Sequence, residues 1–465
     1  MTVTEPHEIV ERTLALALSD TDDCVVIVST AHEANLRWAR NTLTTNGESA
    51  ESSVTVIAFL GKDADAVVGS VTRSGFDPAD LPDLVSAARA AAQEADRALD
   101  GGPLVSGIPV SADWTDPAGT TTGQVFAGVA PTLGHAFVTG AADGIEHFGF
   151  ASHSVTTTWL GTSTGLRLRH TQPTGRLELT AKSHDRTRSA WSGTATRDFA
   201  DADVLAMDAE LRQRLQWQGR RIEVAPGHHD AVLSPSAVSD LVIDLYWSAV
   251  GRDAAEGRSV FSHPGGGTRV GEQIAASGVS LYSDPGHSEL SCQPFAAAIT
   301  SSGADSVFDN GLALTRTAWI EAGVLTSLIA PRATARDTGL PVAPAVDNLW
   351  LEVAGGSGCL ADLVGRTGSG LLVTCLWYNR VVDPQTLLLT GLTRDGVYVV
   401  EGGEVVGATS NFRFNDSPVS ILGRVADAGA TVPTLAREMG DYFNRAAMPP
   451  LLVTGYNFST VSQAS

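Results

Sequence analysis

The chain has 465 residues, and its 52 acidic residues outnumber the 31 basic ones, so the formal net charge is −21. This balance argues against binding to nucleic acid or to anionic membranes, because their phosphates need lysine and arginine partners. Hydrophobic residues (43%) and charged residues (18%) occur at ordinary globular levels, and the length predicts two domains. The 47 glycines indicate many turns and therefore much β-structure.

The cysteines and the N-terminal segment predict a cytoplasmic location. The four cysteines are widely spaced and form no Cys-x-x-Cys pair, which argues against a disulfide framework. Residues 1–18 lack a basic leading region, and Glu8 and Glu11 interrupt their apolar residues. They therefore predict an amphipathic helix and not a signal peptide. We also find no run of about 18 apolar residues, so no transmembrane helix is expected.

The first 200 residues predict an α+β domain. The predicted elements are a helix over 5–19, strands over 24–28, 53–59 and 65–72, and a helix over 79–100. The first two strands could pair, with a turn at Asn46-Gly47 in the stretch between them. From about 145 to 200 apolar and polar residues alternate, which predicts an antiparallel meander with a turn at 161–164.

Residues 201–465 predict a β-dominated second domain. It begins with a helix over 203–216, followed by a strand, a turn and another strand. Ser234 and Pro235 then predict the start of a helix that extends to residue 252, because serine caps a helix and proline fits its first turn. From about 278 onward, short strands with glycine turns predict a barrel-like sheet. The expected fold class is therefore α+β, with an N-terminal helix and antiparallel-sheet domain followed by this β-dominated domain.

The helix predicted over 234–252 carries the most informative segment of the chain. Residues 241–258 read LVIDLYWSAVGRDAAEGR, a frame that resembles the motif helix of the TldD/PmbA family, the modulators of DNA gyrase and TldD/TldE peptidases. Catalytic members of that family carry His-Glu-x-x-Gly-His there. In this alignment Trp247 and Arg252 take the places of the two zinc-binding histidines, and Ser248 takes that of the general-base glutamate.

These replacements are chemically unsuited to zinc. A catalytic zinc needs three ligands from histidine, cysteine, aspartate or glutamate, so tryptophan and serine are not usable substitutes. A guanidinium about 4 Å from the ion would repel it by roughly 8 kcal/mol at an effective dielectric constant near 20. If the alignment holds, zinc is excluded from this position in the chain.

Further blocks of the second half support the resemblance. Residues 315–325 resemble the family's "RT-x-x-I-E-x-GVL" hairpin, 348–374 its "NL…GLLVT" block, and 382–405 its next pair of strands. In catalytic members a C-terminal cysteine is the third zinc ligand. The corresponding stretch here, 446–453, reads AAMPPLLV, contains no cysteine and is similar to the PmbA/TldE side of the family.

The resemblance implies a PmbA/TldE-like, metal-free subunit. Such a chain would be the non-catalytic partner of a homologous TldD-like subunit, which carries the intact motif and the zinc, and the heterodimer would cleave small or unfolded peptides. We therefore expect no catalytic residue, no metal ligand and no cofactor in this chain. Trp247 is predicted to pack in the core, where a metal would otherwise sit. Arg252 and Glu256 are four residues apart and form either a simple helix ion pair or part of the partner's cleft.

Two functions from other classes remain open. One is a homodimeric peptide-binding or scaffold protein. The other is a serine hydrolase that uses Ser163 in a G-x-S-x-G pattern, although this motif needs a following helix and the residues that follow here alternate like a strand. A zinc site built from unrelated ligands such as His228 or His263 is a third alternative. We expect the adjacent His228 and His229 to lie in a turn between strands.

Overall fold

A computed structural model describes residues 5–462 of the chain. The structure is mixed α+β and contains three β-sheets, so the predicted fold class is confirmed. No helix within residues 5–462 combines the length and the apolar character that a membrane span requires.

The first sheet contains six antiparallel strands in the order β3-β2-β1-β4-β5-β6. Its strands are β1 (Asp23–Ala39), β2 (Thr42–Leu60), β3 (Val67–Ser74), β4 (Ile145–Thr162), β5 (Arg167–Ser183) and β6 (Ser189–Thr196). The helices of this part are α1 (Pro6–Ala17), α2 (Leu81–Glu94), α3 (Ala130–Ala142) and α4 (Val204–Trp217). The predicted N-terminal helix, the pairing of the first two strands and the meander are all confirmed. Helix α3 was not predicted.

The two faces of this sheet are covered differently. In β1 the side chains of Val26 and Leu36 point to the face on which the four helices pack. Val25 and Ile27, on either side of Val26, point to the opposite face, because successive side chains of a strand alternate. There they join an apolar cluster with Phe308, which comes from the second half of the chain. The second half therefore packs directly against the N-terminal sheet.

The first hairpin turns at a different place from the one predicted. The reversal occurs at Arg40-Asn41, whose φ angles of 51° and 59° are left-handed. Gly47 instead lies within β2, opposite Asn35. The Asn41 side chain donates to Ile145 O and accepts from His147 N. The turn therefore forms at Asn41, where the side chain bonds to the sequence-distant strand β4, and not at the Asn46-Gly47 pair.

The second half contains two further sheets. One has the order β10-β9-β8-β11-β20-β19, and the other, a curled half-barrel, has the order β13-β14-β17-β21-β7-β12-β15-β16 with β18 paired to β21. The strands are β7 (Gly227–Leu233), β8 (Val279–Ser283), β9 (Thr317–Glu321), β10 (Val324–Leu325), β11 (Leu349–Val353), β12 (Ser369–Val373), β13 (Leu376–Asp383), β14 (Leu388–Thr393), β15 (Val397–Glu401), β16 (Glu404–Thr409), β17 (Phe412–Asp416), β18 (Val425–Ala428), β19 (Val432–Thr434), β20 (Ala446–Met448) and β21 (Leu451–Val461). The helices are α5 (Pro235–Trp247), α6 (Gly251–Ala255), α7 (Arg332–Thr338), α8 (Leu360–Arg366) and α9 (Pro418–Gly423).

Helix α5 lies in the main core, where it packs with apolar residues of both C-terminal sheets. It begins as predicted, with Ser234 accepting from Ala237 N and Pro235 in the first turn. The division of the chain at residue 200 stays a prediction. Helix α4, which follows that point, packs against β5 and β6 of the N-terminal sheet.

The motif helix is shorter than predicted. It ends at Trp247, Val250 is extended, and the short α6 starts at Gly251. The chain leaves the helix because Gly251 N donates to Ile329 O at 2.8 Å, next to a bridge between Val250 and Ile329. A side chain at Gly251 would place its Cβ 2.8 Å from Leu340 Cδ1. Close tertiary packing therefore fixes this break.

Candidate functional site

The first motif position, Trp247, lies at the end of α5 and not in the core. Its residue surface is 41% exposed, and its ring contacts the edge of Phe443 with 6.4 Å between centroids. The preceding Leu245 and Tyr246 occupy the buried side of the last turn. Because consecutive helix residues point in different directions, Trp247 falls on the open side. The expectation that it fills a core position was therefore wrong.

The second motif position, Ser248, forms the C-cap of α5. Its Oγ donates to Asp244 O at 2.8 Å, a bond within the last turn of the helix. The neighbouring Asp244 carboxyl is mostly enclosed, and its Oδ2 has no hydrogen-bond partner. Burial first, and then the nearby Glu438 carboxylate, raise the pKa of Asp244 to about 7. Ser248 therefore makes a local capping contact and contributes no basic group.

The third motif position, Arg252, lies in α6 and is paired with acidic groups. Its Nη2 is 3.2 Å from Asp337 Oδ2, whereas its Nη1 is 4.0 Å from Glu256 Oε1. Glu256 forms its closer contact with Arg258. The helix ion pair between Arg252 and Glu256 is thus present only as the longer contact. Arg336 chiefly, and Arg252 in addition, hold the pKa of the Asp337 carboxyl below its ordinary value.

The segment that aligns with the third zinc ligand lies beside the motif helix. Strand β20 packs against α5, and its three residues Ala446, Ala447 and Met448 are fully buried. These side chains offer a methyl group, a methyl group and a thioether, which suit a core and not a hard or borderline cation. Topology therefore brings strand β20 beside α5. That these two segments correspond to the family's zinc-ligand regions stays a prediction.

The histidines considered for an alternative metal site make other contacts. Across residues 5–462, no group of three or more histidine, cysteine, aspartate or glutamate side chains is arranged to hold a metal. His228 and His229 lie in β7 and not in the predicted turn, and their rings face Gly455 O and Ala225 O. His263 Nε2 lies 3.6 Å from the carboxylate of Glu272.

The geometry around Ser163 is that of a turn. Ser163 occupies the β4–β5 hairpin, and its Oγ donates to Asp23 Oδ1 at 2.6 Å and accepts from Cys24 N. No histidine takes part in these bonds, so they lack the histidine base of a Ser-His-Asp triad. A nucleophile elbow also requires a helix after the serine, whereas here strand β5 follows.

A buried carboxyl on α5 was missed by the sequence reasoning. Asp240 is 0% exposed, and its two oxygens accept from the backbone N–H groups of Arg437, Glu438 and Met439 at 3.1–3.2 Å. Burial raises the pKa of Asp240 to about 8. An aspartate in a helix composed mainly of apolar residues was the available signal. The contact ties α5 to the loop that carries Phe443 against Trp247.

Comparison with known proteins identifies the family. A sequence model of the PmbA/TldA metallopeptidase C-terminal domain matches residues 226–460, which is half of the chain. No curated protein matches the sequence.

Solved structures share the fold over nearly the whole length. TldE from Thermococcus kodakarensis is 14% identical with a TM-score of 0.78, and the match covers 97% of this chain and 99% of that chain. A candidate modulator of DNA gyrase from Bacteroides thetaiotaomicron is 14% identical (TM-score 0.76), with 99% and 100% of the two chains covered. A similar protein from Thermotoga maritima is 17% identical (TM-score 0.75), with 97% and 99% covered. The predicted resemblance is confirmed, and the chain belongs to the TldD/PmbA family.

Proposed function

We propose that this chain is the non-catalytic, metal-free subunit of a TldD/TldE-type zinc peptidase that acts on small or unfolded peptides. A homologous TldD-like subunit with an intact His-Glu-x-x-x-His motif supplies the zinc and the general base. The observation that carries the proposal is the set of residue types at the motif positions. In the predicted alignment, Trp247, Ser248 and Arg252 take the places of two ligands and the base, and the adjacent β20 has no residue of a zinc-binding type.

The contacts of these side chains support a structural role for the region. Ser248 caps α5, and Arg252 is neutralised by Asp337. A cation held by these three side chains would meet an indole, a hydroxyl and a guanidinium, and none of the three is a usual zinc ligand. The exposed Trp247 offers an aromatic surface at the end of α5, and exposed aromatic residues are enriched at protein interfaces.

The test compares this chain, a TldD-like subunit from the same organism, and their mixture. We expect the isolated chain to contain no zinc after desalting, measured by mass spectrometry of the metal, and to leave a fluorogenic peptide intact. We expect the mixture to form a complex by size-exclusion chromatography and to hydrolyse the peptide. One zinc per isolated chain, or hydrolysis by this chain alone, would overturn the proposal.

A matched variant tests the alignment itself. The combined substitution Trp247→His, Ser248→Glu and Arg252→His restores the family motif. We expect it to raise zinc binding above that of the native chain, because two imidazoles replace an indole and a guanidinium. No gain in zinc binding would show that these positions do not correspond to the ligand positions of the family.

The homodimeric alternative gives a different result in the same experiment. A scaffold that pairs only with itself elutes as a dimer in isolation and does not bind the TldD-like subunit. Peptide hydrolysis by that subunit would then be the same with and without this chain.

A further inference from the structure

A polar cleft lies between the N-terminal sheet and the second half of the chain. Its first part is a cavity of about 350 Å³, a size within the range of ligand-binding sites. A second cavity of about 580 Å³ adjoins it and shares Gln172, Thr174 and Arg445. The cleft lies on the side of the N-terminal sheet opposite its four helices.

The floor of the cleft is a polar stripe on a sheet face that is otherwise apolar. Thr156 and Thr158 of β4 line the first cavity together with His170, Gln172 and Thr174 of β5. On the same strands and the same face, Leu160 and Leu168 close the apolar cluster that joins the two halves. A contact face that served only to hold the halves together would continue the apolar pattern, because burying polar side chains costs free energy. The change to threonine, histidine and glutamine therefore marks a surface suited to a polar ligand.

The wall of the cleft is attached directly to the motif helix. The hydroxyl of Tyr246, one residue before Trp247, donates to Val346 O and accepts from Val346 N. Asp347, the next residue, lines the first cavity. Because Tyr246 is fixed by these two bonds, the cleft and the end of α5 form one connected unit.

The charges in the cleft favour a cationic ligand. In the first cavity Asp309 is paired with Arg332, and Asp347 is paired with Arg445 at 2.9 Å. Asp305 also lines it, and the hydrogen bond that its carboxylate accepts there comes from the neutral Ser302 hydroxyl. The second cavity adds the acidic residues Asp198, Asp201 and Glu289 and the basic residue Arg197. Carboxylates thus outnumber arginines along the cleft.

Asp347 is the carboxylate best placed to meet a ligand. Its side chain keeps 54% of its surface open within the cleft, while Arg445 contacts one of its oxygens. An ammonium group of a ligand would be well matched to this position, because it supplies both charge and hydrogen-bond donors.

We infer that this cleft binds an extended oligopeptide, with its free amino terminus at Asp347 and its backbone along the threonine and glutamine side chains of β4 and β5. The inference rests on the proposed function only in taking a peptide as the ligand. It assigns to this chain its own peptide-binding site, separate from the zinc site of the partner subunit.

The test measures binding of tetra-alanine to the full isolated chain by isothermal titration calorimetry. We expect N-acetylated tetra-alanine to bind about tenfold more weakly, because acetylation removes the charge-assisted bond to Asp347. Asp347→Asn should weaken binding of free tetra-alanine by about tenfold and remove the difference between the two peptides. The control Asp427→Asn changes an aspartate that also pairs with an arginine but lies outside the cleft, at 2.8 Å from Arg366, and it should leave both affinities unchanged.

A second variant keeps the test decisive if Asp347→Asn fails to fold. Asp305→Asn changes an exposed residue of the same cavity and should weaken the free peptide more than the acetylated one. Absence of binding, equal affinities for the two peptides, or no effect of either cleft variant would overturn the inference. If these results occur while the mixture with the TldD-like subunit still hydrolyses peptide, only the cleft assignment fails. If binding is found and the mixture is inactive, only the proposed function fails.

Discussion

The buried Asp240 on the motif helix should contribute measurably to stability. In Asp240→Ala the backbone N–H groups of Arg437, Glu438 and Met439 lose their acceptors, which are the oxygens of a fully buried carboxyl. An unsatisfied buried donor costs about 1–3 kcal/mol, so three of them give a loss of at least about 3 kcal/mol. Asp240→Asn keeps one acceptor oxygen, and we expect it to lose about 1–2 kcal/mol.

The same residue should make stability depend on pH. The folded pKa of about 8 lies above the ordinary value of 3.8, so between these values the folded state binds a proton that the unfolded state has lost. The free energy of unfolding therefore falls as pH rises through this window, by up to about 1.4 kcal/mol per pH unit for one proton. Asp240→Asn should remove this contribution, while the raised pKa of Asp244 leaves a smaller slope of the same sign.

The assay is urea unfolding of the native chain and both variants, followed by tryptophan fluorescence at several pH values between 4 and 8. A loss below about 1 kcal/mol in Asp240→Ala would refute the assigned role of the three hydrogen bonds. An unchanged pH slope in Asp240→Asn would show that Asp240 does not hold its proton in the folded state.

Two further predictions concern backbone geometry. Gly251→Ala should lower the free energy of unfolding by about 1–3 kcal/mol, because the added Cβ would lie 3.1 Å from the backbone oxygen of Ile329 and 2.8 Å from Leu340 Cδ1. Unchanged stability in urea unfolding would contradict this. Asn41→Ala should cost about 2 kcal/mol through the lost bonds to β4 and its left-handed φ of 59°. Asn41→Gly should cost less because glycine tolerates that φ, and equal thermal stability of the two variants would show that φ contributes little.

Several features of this protein followed from the sequence because their causes are local. The alternation over 145–200 led to three paired strands, and Ser234 with Pro235 led to the correct start of α5, since side-chain periodicity and capping act within a few residues. The family was also accessible, because its blocks are contiguous segments in a fixed order. That zinc chemistry is missing at Trp247, Ser248 and Arg252 rests on their residue types and on the alignment, and it stays a prediction.

Tertiary structure decided the features that depend on distant partners. The first hairpin turns at Asn41, which bonds to β4, and not at the Asn-Gly pair. The motif helix stops at Trp247 because the following residues pair with Ile329. The indole lies on the open side of the last turn and is partly exposed. The cleft exists only because two halves of the chain pack on one sheet face. Contacts between residues far apart in sequence determine such features, and local pattern carries no information about them.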